Sequence, residues 1–177
     1  LIENETKRCG DIVKGLLDFS RKEREDFEPV HIHTLLDETY RLMTHSIKIA
    51  DISFVTDFKA VADRVICSPN QVKQACVALV VNASEAVQNQ GEIIISTSNR
   101  DLEHITISVS DNGSGISKED MPHIFEPFFS TKRDTSGIGL GLSIVHGIVE
   151  NHKGQIEVTS EPGQGTAIEI TLSLTEV

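Results

Sequence analysis

The first thing this sequence lacks is clustered basic charge. Sixteen Lys and Arg stand against 27 Asp and Glu, a formal net charge of −11 over 177 residues. Neutralising nucleic-acid phosphates needs grouped cations, so wrapping a nucleic acid is excluded. An anionic ligand must then be held by local devices rather than by the global field. No apolar run approaches the roughly 20 residues of a membrane span, and no signal-peptide pattern is present. The expectation is a cytoplasmic piece with no direct membrane contact, whose parent can still be anchored. Its first residue is Leu rather than Met, which fits a part of something longer. Cys9, Cys67 and Cys76 are odd in number and lack metal-like spacing, so they read as reduced, packed thiols. None of the seven histidines is followed directly by Glu or Asp. His31 and His33 alternate and could chelate a metal; an outward strand face is the simpler reading.

What is present is enough chain for one domain with a real core and a short appendage. Residues 1–24 read as a helix: Ile2, Cys9 and Leu16 recur every seven residues, with Ile12 and Phe19 three after the last two. Gly10 and Gly15 weaken it by roughly 1 kcal/mol each relative to Ala, so it needs a partner helix. A linker at 25–29 closes on Pro29, and the second unit runs over 30–177. There, His31–His33 reads as a strand, Thr34–Met43 as a helix and Ile52–Phe58 as a strand. Ser68-Pro69-Asn70-Gln71 reads as a capping box that opens a central apolar helix to about Gln88. Gly91–Asn99 and His104–Asp111 read as a strand pair, Ser117–Met121 as one short helical turn and Leu140–Asn151 as a helix. Gln155–Ser160 and Thr166–Leu174 form a closing hairpin. Strands and helices mix without regular βαβ alternation, which predicts an α+β sandwich on a largely antiparallel sheet.

Two glycine-punctuated segments carry the chemistry. In Gly137-Ile138-Gly139-Leu140-Gly141-Leu142, alternating glycines open an apolar helix, a way to bring backbone N–H groups and the helix dipole to phosphate. In Asp111-Asn112-Gly113-Ser114-Gly115-Ile116, a Gly-x-Gly turn holds a strand-end carboxylate against a flat polar ligand. Together they read as a nucleotide site with base and phosphate ends specified separately. Two further elements stand in the same order: Asn82-Ala83-Ser84-Glu85 inside the apolar helix, and Phe125-Glu126-Pro127-Phe128-Phe129-Ser130-Thr131-Lys132 in a loop. A buried Asn amide is costly unless something uses it.

This order resembles the ATP-binding catalytic domain of sensor histidine kinases over about 30–177. More broadly, it resembles the superfamily that includes type II topoisomerases, mismatch-repair ATPases and ninety-kilodalton heat-shock chaperones. The helix at 1–24 resembles the second helix of the kinases' dimerisation hairpin, carrying Arg8-Cys9, Ile12-Val13, Leu16-Leu17 and Phe19-Ser20-Arg21. The resemblance implies a Bergerat-type two-layer α/β sandwich that binds ATP and Mg²⁺. Asp111 would accept from adenine's exocyclic amine, and Thr166 would either complete that contact or serve as an ordinary strand residue. Gly113, Gly115 and Ile116 would approach the base. Asn82 would ligate Mg²⁺; Glu85 would hold a metal-bound water or be an exposed helix acid. Phe125–Lys132 would begin a lid, with Phe125, Phe128 and Phe129 tying its base to the core. Thr131 and Lys132 would lie near the phosphates, as would Gly137, Ile138, Gly139, Leu140, Gly141 and Leu142. Lys132 would touch phosphate or remain a solvated loop cation. Ala78 departs from the pattern: many kinases carry Asn there, and hydrolysing relatives carry a general-base Glu. Ala can do neither, which argues against a fast hydrolase.

The implied activity is autophosphorylation of a histidine outside this chain, in a homodimer that then feeds a response-regulator receiver domain. The alternatives are a related serine kinase or switch ATPase, and a nucleotide-sensing interaction module.

Overall fold

The computed structural model describes residues 26–87, 90–130 and 139–175. The helix read at 1–24 lies outside them. Five strands form one mixed sheet: β2 (Ser53–Phe58), β4 (Glu92–Asn99), β5 (His104–Asp111), β7 (Gly165–Ser173) and β6 (Gln155–Glu161), in that spatial order. The β2–β4 pair is parallel and the others antiparallel. Three helices pack on the sheet: α1 (Ile32–Ile49), α2 (Pro69–Ala86) and α3 (Gly141–Asn151). The α+β sandwich expected from the sequence is therefore the fold observed.

Alternation explains the sheet. Ile93, Ile95 and Thr97 on β4, Ile105, Ile107 and Val109 on β5, and Ile168, Ile170 and Leu172 on β7 are all buried. Period-two burial of branched residues fixes the register, because a slip of one residue would turn every side chain to the other face. From the helix side, α2 contributes Val72, Ala75, Cys76, Leu79, Val80 and Ala83, and α3 contributes Val145, Ile148 and Val149. Cys67 and Cys76 are free and buried; burial pushes their thiols up, to about 11 and about 12. They behave as packed apolar residues, as the sequence implied. Cys9 lies outside the described residues.

The structure corrects several boundaries. The first strand is β1, Glu28–His31, so it starts inside the stretch read as linker and ends where the sequence placed its beginning. Its partner is β3 (Arg64–Cys67), a short strand the sequence did not reveal. Helix α1 runs six residues beyond Met43, to Ile49. The exposed His31 side chain turns to Asp63: its Nδ1 meets Asp63 Oδ1 at 2.9 Å, and the His33 backbone N–H donates to Asp63 Oδ2 at 3.1 Å. Burial alone would raise the Asp63 carboxyl, but these contacts outweigh it and hold the group below its ordinary value.

The capping box at Ser68 does not form, since no side chain of its own caps α2. The Ser68 N–H instead donates to His152 Nε2 at 3.0 Å. His152 lies just past the end of α3, and its Nδ1 donates to the Ile148 carbonyl at 2.8 Å. One neutral tautomer thus closes α3 and opens α2. Gln71, the expected box partner, accepts from Asn151 Nδ2 at 3.0 Å. The Phe27 ring lies 4.7 Å from the His152 ring. His152→Phe keeps a ring against Phe27 and removes the acceptor. It should cost about 1 kcal/mol, read as a lower urea midpoint at unchanged slope; an unchanged midpoint would show that the cap contributes nothing.

Candidate functional site

At the end of the sheet where β5 stops and β7 begins lies a cavity of about 490 Å³. Its walls are α2, the 114–120 turn, residues 129–130 and the start of α3; Val109, Ile168, Leu79, Ile124 and Ile144 are among its apolar lining. That is the size and character of a small-molecule site: mostly apolar, with a few placed polar groups.

Asp111, Thr166 and Ser160 lie side by side on β5, β7 and β6, paired Asp111 with Thr166 and Ser160 with Thr166. Asp111 Oδ1 accepts the Gly113 N–H at 2.8 Å, an Asx-type turn that orients the carboxylate. Thr166 Oγ1 is 2.9 Å from Ser160 Oγ. Ser160 Oγ also receives the Ile116 N–H at 2.9 Å and donates to the Gly165 carbonyl at 2.9 Å.

Glycine is required here by space. A Cβ on Gly113 would sit 2.5 Å from the Ala86 carbonyl oxygen. On Gly115, at φ +69°, it would meet the Glu161 oxygen at 2.0 Å, and on Gly165, at φ +97°, the Asp111 oxygen at 2.0 Å. These contacts clamp the end of β5 to the end of α2 and to the β6–β7 hairpin.

The second end of the cavity is the start of α3. Leu140, Gly141 and Leu142 line it, so the open N-terminal turn of a helix borders the space. Asn82 lines the same region, and a Cβ on Gly141 would lie 3.2 Å from both the Asn82 Nδ2 and Oδ1. Glu85 lines the cavity one helical turn on. Gly139, at φ +73°, presses against the 128–129 backbone, where a Cβ would meet the Phe129 oxygen at 2.5 Å. Its carbonyl receives the Phe128 N–H at 2.9 Å. The backbone on both sides of 131–138 is thereby pinned together. This close approach leaves no room for a side chain at Gly139.

Of the residues singled out from the sequence, Asn82, Glu85, Asp111, Gly115, Ile116, Gly139, Leu140, Gly141, Leu142 and Thr166 all line this one cavity. Thr131, Lys132, Gly137 and Ile138 lie outside the described residues. Gly113 and Phe125 are not among the described lining residues. Gly113 is buried beneath Asp111 rather than in the wall. Phe125 turns to α3, its ring 5.1 Å from His146, and Phe129 takes the place in the lining. Phe128 does not tie the loop to the core either: it is 59% exposed, at φ +67°. Sequence reading missed Ser117, Asp120, Ile124 and Ile144 in the lining. Ser117 Oγ donates to Asp120 Oδ2 at 2.7 Å and accepts the Asp120 N–H at 3.1 Å, closing the turn at 118–120. Among the described lining residues the charges are Glu85, Asp111 and Asp120, with no Lys or Arg. Among the described residues no cluster of three His, Cys, Asp or Glu could hold a metal, and no helix is long and apolar enough to cross a membrane.

Comparison with known proteins agrees with this geometry. Residues 67–176 match the family model described as histidine kinase-, DNA gyrase B-, and HSP90-like ATPase. The chain is 31% identical over 172 residues to Sporulation kinase E of Bacillus subtilis, covering 97% of the chain but only 23% of that kinase. It superposes on the catalytic domain of histidine kinase ThkA with a TM-score of 0.75 at 31% identity, covering 85% of this chain and 99% of that one. It also superposes on ThkA in complex with the response regulator protein TrrA, with a TM-score of 0.81 at 32% identity, covering 98% of this chain and 49% of the other. The chain therefore belongs to the histidine kinase-, DNA gyrase B- and HSP90-like ATPase family, as the ATP-binding catalytic domain of a sensor histidine kinase.

Proposed function

We propose that this domain binds Mg-ATP in the cavity between Asp111 and the start of α3 and presents the γ-phosphate to a histidine outside this chain. The observation that carries the reading is the convergence of a strand-end acceptor pair, Asp111 and Thr166, and a helix N-terminus on one cavity of nucleotide size. Asp111 and Thr166 would meet adenine's amino edge, and Val109, Ile168 and Ile144 would take its apolar faces. The N–H groups at Leu140–Leu142 would face phosphate, with Lys132 on the lid beyond Ser130.

Mg²⁺ fits the residues present. Asn82 offers a neutral oxygen and Glu85, one turn on, a site for a metal-bound water, while the described lining carries acids and no cation. A triphosphate needs that charge offset, and Mg²⁺ takes few protein ligands when phosphate and water supply the rest. Bound there, the ion would neutralise phosphate charge. Ala78, in the cavity wall, has no base to activate water. The reading is therefore transfer to a protein acceptor rather than hydrolysis. The parent would be a homodimer through the 1–24 helix and would pass phosphate to a receiver domain.

Calorimetry tests the site. Asp111→Ala should weaken ADP and ATP binding alike by at least about tenfold, the worth of a charge-assisted hydrogen bond. Asn82→Ala should mainly remove the Mg²⁺ dependence, and normal Mg-ATP binding by both variants would contradict the assignment. Incubating this chain with γ-labelled ATP should leave no acid-labile label on it, because none of its histidines stands before an acid. Such label would overturn the division between presenting domain and absent acceptor.

A further inference from the structure

Ser160 stands at the base end of the cavity without lining it, and nothing above gives it a role beyond structure. Its hydroxyl has one proton and two lone pairs. Three groups lie at bonding distance: the Ile116 N–H at 2.9 Å, the Gly165 carbonyl at 2.9 Å and the Thr166 hydroxyl at 2.9 Å. The Ile116 N–H can only donate and the Gly165 carbonyl can only accept. The single Ser160 proton is therefore committed to Gly165. One lone pair is committed to Ile116, and the remaining one must receive the Thr166 proton. Thr166 has then spent its only donor, and its oxygen turns lone pairs toward the cavity it lines.

We infer that Ser160 is a positioning residue that fixes Thr166 as an acceptor, so that the base end of the cavity selects a ligand bearing an amino group. The inference rests on the reading of this cavity as an adenine-nucleotide site. Asp111 and Thr166 are register neighbours, and an ionised carboxylate and a proton-spent hydroxyl offer acceptors only. A 6-amino purine brings protons to that edge. A 6-oxo purine brings a lone pair against it, which leaves polar groups buried and unpaired. Without Ser160 the Thr166 hydroxyl could turn and donate, and the site would lose its sign.

The test measures ADP and IDP affinities by calorimetry on the full 177-residue chain, since the two differ only at position 6, amino against oxo, and at the adjoining N1, bare in ADP and protonated in IDP. Wild type should favour ADP by at least about tenfold. Ser160→Ala should cut the ADP:IDP ratio by about fivefold or more, through weaker ADP and stronger IDP binding, since the freed hydroxyl can now donate. Ser160→Thr keeps the hydroxyl and should restore the wild-type ratio. Thr166→Val should lower the ratio by itself, and adding Ser160→Ala to it should change nothing further, because Ser160 acts through Thr166. A Ser160→Ala ratio equal to wild type, or equal losses for both nucleotides, would overturn the role of Ser160 while leaving the ATP reading intact. A wild-type chain that bound neither nucleotide would overturn both.

Discussion

Three stretches of backbone meet at the end of β5 with no room between them for a methyl group. Gly113 lies on the Ala86 carbonyl, Gly115 on the Glu161 carbonyl and Gly165 on the Asp111 carbonyl. This contact brings the end of α2, the turn after β5 and the β6–β7 hairpin to one point. The Ser114 N–H donates to Ala86 at 3.1 Å and the Gly163 N–H to Ser114 at 2.7 Å, so the junction is bonded as well as packed. The polar groups at this end of the cavity are placed around it: Asp111 by its own Gly113 turn, Thr166 by its register, and Ser160 across the hairpin. Any side chain at these glycines must push backbone against backbone, which a close-packed interior does not absorb cheaply.

The other end is held differently. Asn82 and Gly141 touch where α2 passes the start of α3, and the far ends of these helices are joined through His152. The two helices that border the cavity are thus fixed at both ends, one contact at the site and one remote from it. Between them the wall carries carboxylates and, among the described residues, no cation. A wall of carboxylates by itself repels a polyphosphate, so the proposed ligand requires added positive charge.

Much of this was legible in the sequence. Branched residues alternating over β4, β5 and β7 announced a sheet buried on one face. Asn82 stood out as an amide in an apolar helix, and the glycines marked close approach. What escaped has physical reasons. Strand β3 has four residues, too few for a period, and pairs with β1 more than thirty residues away. The turns of α1 beyond Met43 bury Ile47 alone and expose Ile49, so they carry too few inward apolar positions to show a helical period. The α2 cap comes from His152, which no local rule around Ser68 could supply. In Phe125–Phe129 three similar aromatics do not declare that Phe125 turns to His146, that Phe128 stays exposed at a left-handed backbone position and that Phe129 borders the cavity. Ser160 was within reach: pairing the hairpin across 161–165 sets it opposite Thr166.

A crystal structure of this chain with Mg²⁺ and a non-hydrolysable ATP analogue tests the central claim most directly. The account predicts the adenine amino group at Asp111 and Thr166, the ion on Asn82 and the phosphates at the Leu140–Leu142 backbone. An analogue bound with its base at the α3 end, or outside this cavity, would contradict it.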